Sequence, residues 1–179
     1  MLTPQNTCLV VVDIQEKLHK LMVNCEQVES NCLVLVKLAQ ALDIPILWCQ
    51  QVPKVLGPTI QPLWSLLNEQ ASFDKCSFSC YGDEAIAAEM DKIKPETAIL
   101  CGIEAHVCVF QTAMDLIDKG IDVHVIADAT SSRTNENKQI ALHRMGKEGV
   151  TLSSTEMCLF ELLRTSKHEK FRELAKLIK

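Results

Sequence analysis

Thr7-Cys-Leu-Val-Val-Val12 is apolar or nearly so at every position and stops at Asp13. A strand with one wet face alternates polar and apolar residues. A strand that is apolar on both sides must be buried on both sides, and that situation belongs to a parallel sheet with helices over each face. Comparable runs return at residues 44–49, 97–100 and 121–127, with a shorter one at 150–152. Pro45 falls at the start of its strand, where a missing amide is tolerated. Between these runs the apolar spacing changes to that of a helix. Val28, Cys32, Leu35, Val36, Leu38, Ala39 and Leu42 share one face over residues 26–42, and Val109, Phe110, Ala113, Met114, Leu116 and Ile117 share another over 105–119, ended by Gly120.

Smaller signals complete the pass. Asp83 opens a helix running to about Ile93, with Glu84 in its first turn and Lys92 near its end. Residues 71–79 hold a short third strand ending near Lys75. Three prolines and Gly57 make residues 50–62 an ordered surface loop without regular structure, leading to a short helix at 63–67. A helix follows Asn135 to about Lys147, Ser153-x-x-Glu156 reads as a capping box, and residues 168–179 form a closing amphipathic helix. The alternation predicts one α/β domain over residues 1–179. Its architecture is a three-layer αβα sandwich with right-handed crossovers and a doubly wound parallel sheet of strand order 3-2-1-4-5-6.

Composition narrows the function classes. A chain of 179 residues can build its core without metal or disulfide staples. Its nine cysteines are odd in number and scattered through apolar runs, as expected of free thiols in a reducing compartment. Cys76 and Cys80 have no second Cys or His pair at zinc-finger spacing, so no metal site is expected. The net charge of -5 gives no general attraction to nucleic acid or to anionic membranes. No run is long enough to span a bilayer and the N-terminus has no secretory pattern, so the cytoplasm is the expected location.

In a 3-2-1-4-5-6 sheet the first and fourth strands are neighbours where the winding reverses, and ligands bind at their carboxyl ends. Asp13 ends the first strand. Gly102 ends the fourth and turns the chain into a helix whose first turn carries Cys108. There the positive end of the helix favours thiolate over thiol. Lys75, at the end of the third strand, reaches the same edge. Taken singly, Asp13 reads as a loop cap, Lys75 as a solvated lysine and Cys108 as a small buried residue. Together they make a nucleophile: Lys75 lowers the thiol pKa, Asp13 accepts its proton, and the thiolate attacks a carbonyl whose oxyanion is held by backbone N–H groups of the 103–108 turn. Cys108 is then expected within about 3–4 Å of both partners. Gln15 and Gln51 are candidate substrate contacts at the rim. Arg133 either binds an anionic substrate group or pairs with Asp128. His106 diverges from Cys108 and reads as structural, and His124 as a satisfied core histidine.

Val11-Val-Asp13-x-Gln15, Lys75 and Gly102-Ile-Glu-Ala-His-Val-Cys108-Val resemble the isochorismatase-like cysteine hydrolase superfamily, and within it the isochorismatase-domain proteins of animals and related eukaryotes. The resemblance continues through Leu56-Gly-Pro-Thr59, Asp115-Leu-Ile-Asp-Lys-Gly120, Val123-His-Val-Ile-Ala-Asp128-Ala-x-Ser-Ser-Arg133 and Ala141-Leu-x-Arg-Met145, covering essentially the whole chain. It implies an Asp13, Lys75, Cys108 triad, a cis peptide between Ile103 and Glu104 beside an oxyanion site completed at Cys108, no cofactor, a small amide or other carbonyl substrate, and a homo-oligomer.

Two departures limit what carries over. Nicotinamidase branches hold a metal with an Asp-x-His pair and another His, whereas Trp48-Cys-Gln-Gln-Val-Pro-Lys54 offers neither carboxylate nor imidazole. Isochorismatases cleave a vinyl ether by protonation, and the retained Cys108 argues against that substrate. The expected function is a cysteine hydrolase working through a thioester. The competing expectation is a catalytically silent binding or assembly module with a redox-sensitive cysteine.

Overall fold

Six parallel strands, β1 (Thr7–Val12), β2 (Ile46–Gln51), β3 (Phe73–Lys75), β4 (Thr97–Ile103), β5 (Asp122–Ser131) and β6 (Thr151–Ser153), form one sheet in the order β3-β2-β1-β4-β5-β6. The computed structural model describes residues 1–178. The helices, in chain order, are α1 (Glu16–His19), α2 (Cys25–Ala41), α3 (Pro53–Leu56), α4 (Gln61–Leu67), α5 (Glu84–Ile93), α6 (Phe110–Asp118), α7 (Asn135–Lys147), α8 (Thr155–Leu163) and α9 (Phe171–Leu174).

The central strand explains the layers. Side chains alternate across a strand, so the apolar run of β1 sends Leu9 and Val11 to one face and Cys8, Val10 and Val12 to the other. Leu9 and Val11 join a core built with α2 and α8, through residues such as Leu35, Val36, Leu38, Leu159 and Leu162. Cys8, Val10 and Val12 join a second core with α5, α6 and α7, through Ile86, Met90, Ala113, Leu116 and Met145, and with Val109 just before α6. Two cores on opposite faces make the three-layer αβα sandwich.

The switch point between β1 and β4 depends on one glycine. Gly102 pairs with Val12 and has φ +119°, and a Cβ built on it would lie 2.0 Å from the Val12 carbonyl oxygen. Only a residue without a side chain lets the two strands close there. The pairing of β4 with β5 also shifts register between Leu100 and Gly102, which re-aims the chain into the turn that follows.

Three expectations need correction. Residues 50–62 are not irregular: β2 runs to Gln51, and Pro53 opens α3, since a proline in the first helical turn gives up no hydrogen bond. The cap of α8 is Ser154, which accepts from the Met157 amide, while Ser153 stays in β6. The closing helix is broken into α9 and a 3-10 turn at Ala175–Ile178, and Lys179 lies outside the described residues. Asp83 does cap α5, accepting from the amides of Ala85 and Ile86. Among the described residues no helix is long and apolar enough to cross a membrane.

All nine cysteines are free thiols. Burial pushes the Cys8 and Cys158 thiols up to about 12 from about 9. A thiol that ionises later in the folded chain than in the unfolded one contributes stability that is fully present below pH 9. That stability is lost as pH rises toward 12, by up to about 4 kcal/mol for each thiol. The urea midpoint is therefore expected to fall steadily from pH 9 to pH 11, with a shallower fall in the Cys8→Ala/Cys158→Ala variant. Identical slopes in the two proteins would contradict the assignment.

Candidate active site

Asp13 leaves β1 in a left-handed conformation, φ 51°, with its amide donating to the Cys49 carbonyl at 3.1 Å and its carbonyl accepting from Gln15 at 2.8 Å. That turn drives the carboxylate inward, where it is fully buried. Lys75 arrives from two strands away. It pairs in register with Gln51 at the end of β3, and its ammonium reaches the Asp13 carboxylate oxygen Oδ2 at 2.8 Å. The same nitrogen donates to Gln51 Oε1 at 2.7 Å, to the Phe78 carbonyl at 3.0 Å and to the Ser77 carbonyl at 3.2 Å. Three protons thus serve four oxygens, and a lysine that is only 2% exposed keeps its charge. Burial works most strongly against the ammonium, but the Asp13 carboxylate, through its charge and its hydrogen bond, acts with the Cys80 and Cys108 thiols to hold the Lys75 pKa above its usual value.

Asp13 and Cys108, the two groups that flank Lys75 at the site, are shifted upward. Burial raises the Asp13 carboxyl, opposed by the lysine, and its second oxygen, Oδ1, has no hydrogen-bond partner among the described residues. A carboxylate with a raised pKa and a free lone pair is a better proton acceptor than an ordinary one. Cys108 is 5% exposed and sits beside this pair, close enough for both charges to act on its thiol. Burial raises the Cys108 pKa first and the Asp13 carboxylate raises it further, with Lys75 opposing.

The expected thiolate is therefore corrected to a neutral resting thiol. Lys75 is already compensated by Asp13, so the thiol sees an ion pair and not a bare cation. The chain also enters the helix differently from a simple α-turn. Ala105–Val109 is a π-turn, with the amides of Val107 and Val109 both donating to the Glu104 carbonyl, and α6 begins only at Phe110.

The turn itself is firmly held. The peptide between Ile103 and Glu104 is cis. Thr130 Oγ1 donates to the Gly102 carbonyl, and Thr112 Oγ1 donates to the Cys108 carbonyl at 2.7 Å while accepting from the Cys80 amide at 2.9 Å. Thr112 escaped the sequence reading. Its signal was there, since a threonine four residues after another in a helix regularly bonds back to that carbonyl.

Arg133 is neither free nor paired with Asp128. Its Nε donates to Glu104 Oε2 at 3.1 Å and its amide donates to the same oxygen at 3.3 Å. Asp128 Oδ1 instead accepts from the amide and hydroxyl of Thr155, because β5 runs three residues beyond Asp128 and leaves it facing the start of α8. The Arg133 side chain remains more than half exposed, at 58%.

Gln15 and Gln51 are corrected from rim contacts to internal braces. Gln15 donates to the carbonyls of Gln51 and Gly57 and accepts from the Gln51 amide; Gln51 accepts from Lys75 and donates to the Cys76 carbonyl. Both therefore position Lys75 and the ends of β1 and β2. His106 bonds the Ser132 hydroxyl through Nδ1 at 2.9 Å. His124 is buried, but its Nδ1 has no partner among the described residues, so it is not the satisfied histidine expected, and burial lowers its pKa. Among the described residues no group of three or more His, Cys, Asp or Glu side chains is placed to hold a metal ion.

Known proteins share this arrangement of elements. The isochorismatase domain family model matches residues 7–157. Isochorismatase domain-containing protein 2 of Xenopus laevis is 38% identical over 175 residues, covering 97% of this chain and 84% of that protein. Isochorismatase domain-containing protein 2B of Mus musculus is 36% identical over 177 residues, covering 98% and 82%. Among solved structures, MAR1 ribonuclease from Caenorhabditis elegans superposes with a TM-score of 0.93 at 36% identity, covering 99% of this chain and 91% of that one.

Proposed function

The chain belongs to the isochorismatase domain family, and we propose that it works there as a cofactor-free cysteine hydrolase acting on a small amide or other carbonyl compound. The observation that carries this reading is the fully buried Asp13–Lys75 ion pair, 2.8 Å long, set beside the Cys108 thiol. A buried pair of this kind is costly to build and adds little net stability, so its presence next to a nucleophile is better explained by chemistry than by folding.

The proton is the first thing to move. Asp13 takes it from Cys108, the carboxyl becomes neutral, and the thiolate now faces Lys75 without the competing carboxylate. Sulfur then bonds to the carbonyl carbon, whose π electrons pass to oxygen, and backbone N–H groups of the 103–108 turn stabilise that oxyanion. Collapse expels the leaving group, which recovers the proton from Asp13, and leaves a thioester on Cys108. Water attacks the thioester, its proton passing by way of Asp13 to the sulfur, so the acid is released and the thiol restored. Lys75 keeps its charge throughout, stabilising first the carboxylate and then the thiolate.

Two other readings have less support. An oxidant-sensing cysteine needs an accessible thiolate, whereas Cys108 is buried and its pKa is raised. RNA is raised as a substrate by the Caenorhabditis elegans relative, but this chain carries a net charge of -5, and the lysine at the site is engaged by four internal oxygens. The hydrolase reading includes self-association, supported by Leu152 on the edge strand β6 and by Met157 and Phe160 on α8, all exposed.

The test is intact-mass spectrometry of the protein after exposure to a panel of small amides and activated esters. An acyl adduct that maps to Cys108 and disappears on turnover is expected. Hydrolysis proceeding with no adduct at Cys108 under rapid quench would overturn the reading.

A further inference from the structure

A second cleft lies against the outer side of the same turn. It encloses about 180 Å³ between the start of α6 and the facing side of α7, and it is lined by His106, Phe110, Asn137, Ile140, Ala141 and Arg144. His106 and Phe110 are four residues apart and share a helical face, while Cys108 between them points the other way, into the core. The cleft is thus separate from the Asp13–Lys75–Cys108 site.

Its chemistry is one-sided. The Arg144 guanidinium carbon sits over the Phe110 ring, 4.4 Å from its centroid, a cation–π contact that places the charged end of the side chain at the cleft. Among the described residues Arg144 has no carboxylate partner and its side chain makes no hydrogen bond. The Asn137 side-chain amide is likewise unpartnered, since only its backbone amide is engaged, by Thr134. His106 is fixed through Nδ1 to Ser132, which orients the ring and leaves Nε2 free. No carboxylate lines the cleft, although acidic residues outnumber basic ones in the chain, 23 to 18. The apolar part of the lining comes from the Phe110 ring, Ala141 and Ile140, and the last of these is 58% exposed.

We propose that this cleft binds a small organic anion, with its carboxylate taken by Arg144, Asn137 and His106 and its flat apolar body laid against Phe110 and Ile140. The cleft volume falls below the roughly 300–1,000 Å³ of drug-sized pockets, which limits the ligand to about one ring. A guanidinium already held over an aromatic ring loses less freedom when it takes a carboxylate, and its charge favours a carboxylate over a neutral group of the same shape.

The test is a proton–nitrogen NMR titration of the full chain with benzoate, with its neutral counterpart benzamide, and with inorganic phosphate. Benzoate is expected to shift the amides of residues 105–110 and 137–144 saturably. Benzamide, and benzoate on an Arg144→Gln variant, should each bind about tenfold more weakly or worse. Arg144 is a surface residue, so the variant keeps its fold, and Asn137→Ala supplies a second, milder loss. The proposal fails if benzoate and benzamide bind alike, if Arg144→Gln leaves benzoate affinity unchanged, if phosphate binds there and benzoate does not, or if none of the three perturbs these amides.

Discussion

Replacing Cys108 by alanine should lower the turnover of any accepted substrate by roughly three orders of magnitude or more, while the protein still folds. Loss of the sulfur removes the atom to which the substrate bonds, and no other thiol can substitute. Cys80 and Cys49 are buried in the same core but belong to other segments, outside the 103–108 turn that would hold the oxyanion. Cys108→Ser makes the same point more narrowly. It keeps a hydroxyl near the carboxylate, but that hydroxyl is a far weaker acid than a thiol, and a base of carboxylate strength cannot ionise it. Steady-state hydrolysis and adduct mass should be measured on the three proteins in parallel. Unchanged turnover in Cys108→Ala would remove Cys108 from the chemistry, whatever the fate of the fold.

Resting reactivity separates this scheme from one with a standing thiolate. With burial and the Asp13 carboxylate both holding the proton on sulfur, thiolate appears only when the proton crosses to Asp13. Neutral-pH alkylation of Cys108 by a bulky reagent should therefore be slow, although acylation by a fitting substrate is fast. The helix start and Lys75 were expected to lower the thiol pKa while Asp13 accepted the proton; the lysine is compensated and the helix begins late, so of those two contributions the proton transfer to Asp13 carries the activation.

That difference marks the boundary of what the sequence can carry. The apolar runs at 7–12 and 97–100 have no exposed face, which fixes a covered parallel sheet, and the order 3-2-1-4-5-6 then brings Asp13, Lys75 and the 102–108 turn to one edge without any knowledge of side-chain angles. The ionisation state of Cys108 needed more, because it depends on the balance between burial and two opposite charges, and that balance follows from distances. Arg133 could be placed after β5 but its partner could not, since the choice between Asp128 and Glu104 turns on how far β5 runs. The carbonyls of Ser77 and Phe78 that hold Lys75 were invisible for a simpler reason. Every residue has a carbonyl, so backbone ligands leave no trace in residue types.

Those carbonyls make the Asp13–Lys75 pair unequal, and the inequality can be measured. Lys75→Met strips the ammonium from a fully buried carboxylate whose other oxygen already lacks a hydrogen-bond partner among the described residues, and should cost about 3–5 kcal/mol. In a chain of this size that lowers the melting temperature by roughly 6–20 °C. Asp13→Asn leaves the ammonium its three other oxygens, from Gln51, Ser77 and Phe78, so it should cost less, and combining the two changes should recover part of the loss, because no charge then remains buried. The pH dependence of Lys75→Met has a definite sign. Burial already raises the Asp13 carboxyl against the pull of the lysine, and without the lysine it rises further. A carboxyl that is harder to ionise in the folded chain than in the unfolded one favours folding at low pH and loses that contribution as pH rises through its folded pKa. The gap in urea midpoint between Lys75→Met and the parent protein should therefore narrow from pH 8 to pH 5. A gap that widens on acidification would mean that Asp13 is relieved by solvent once the lysine is gone, and that its burial, with the base strength derived from it, depends on Lys75.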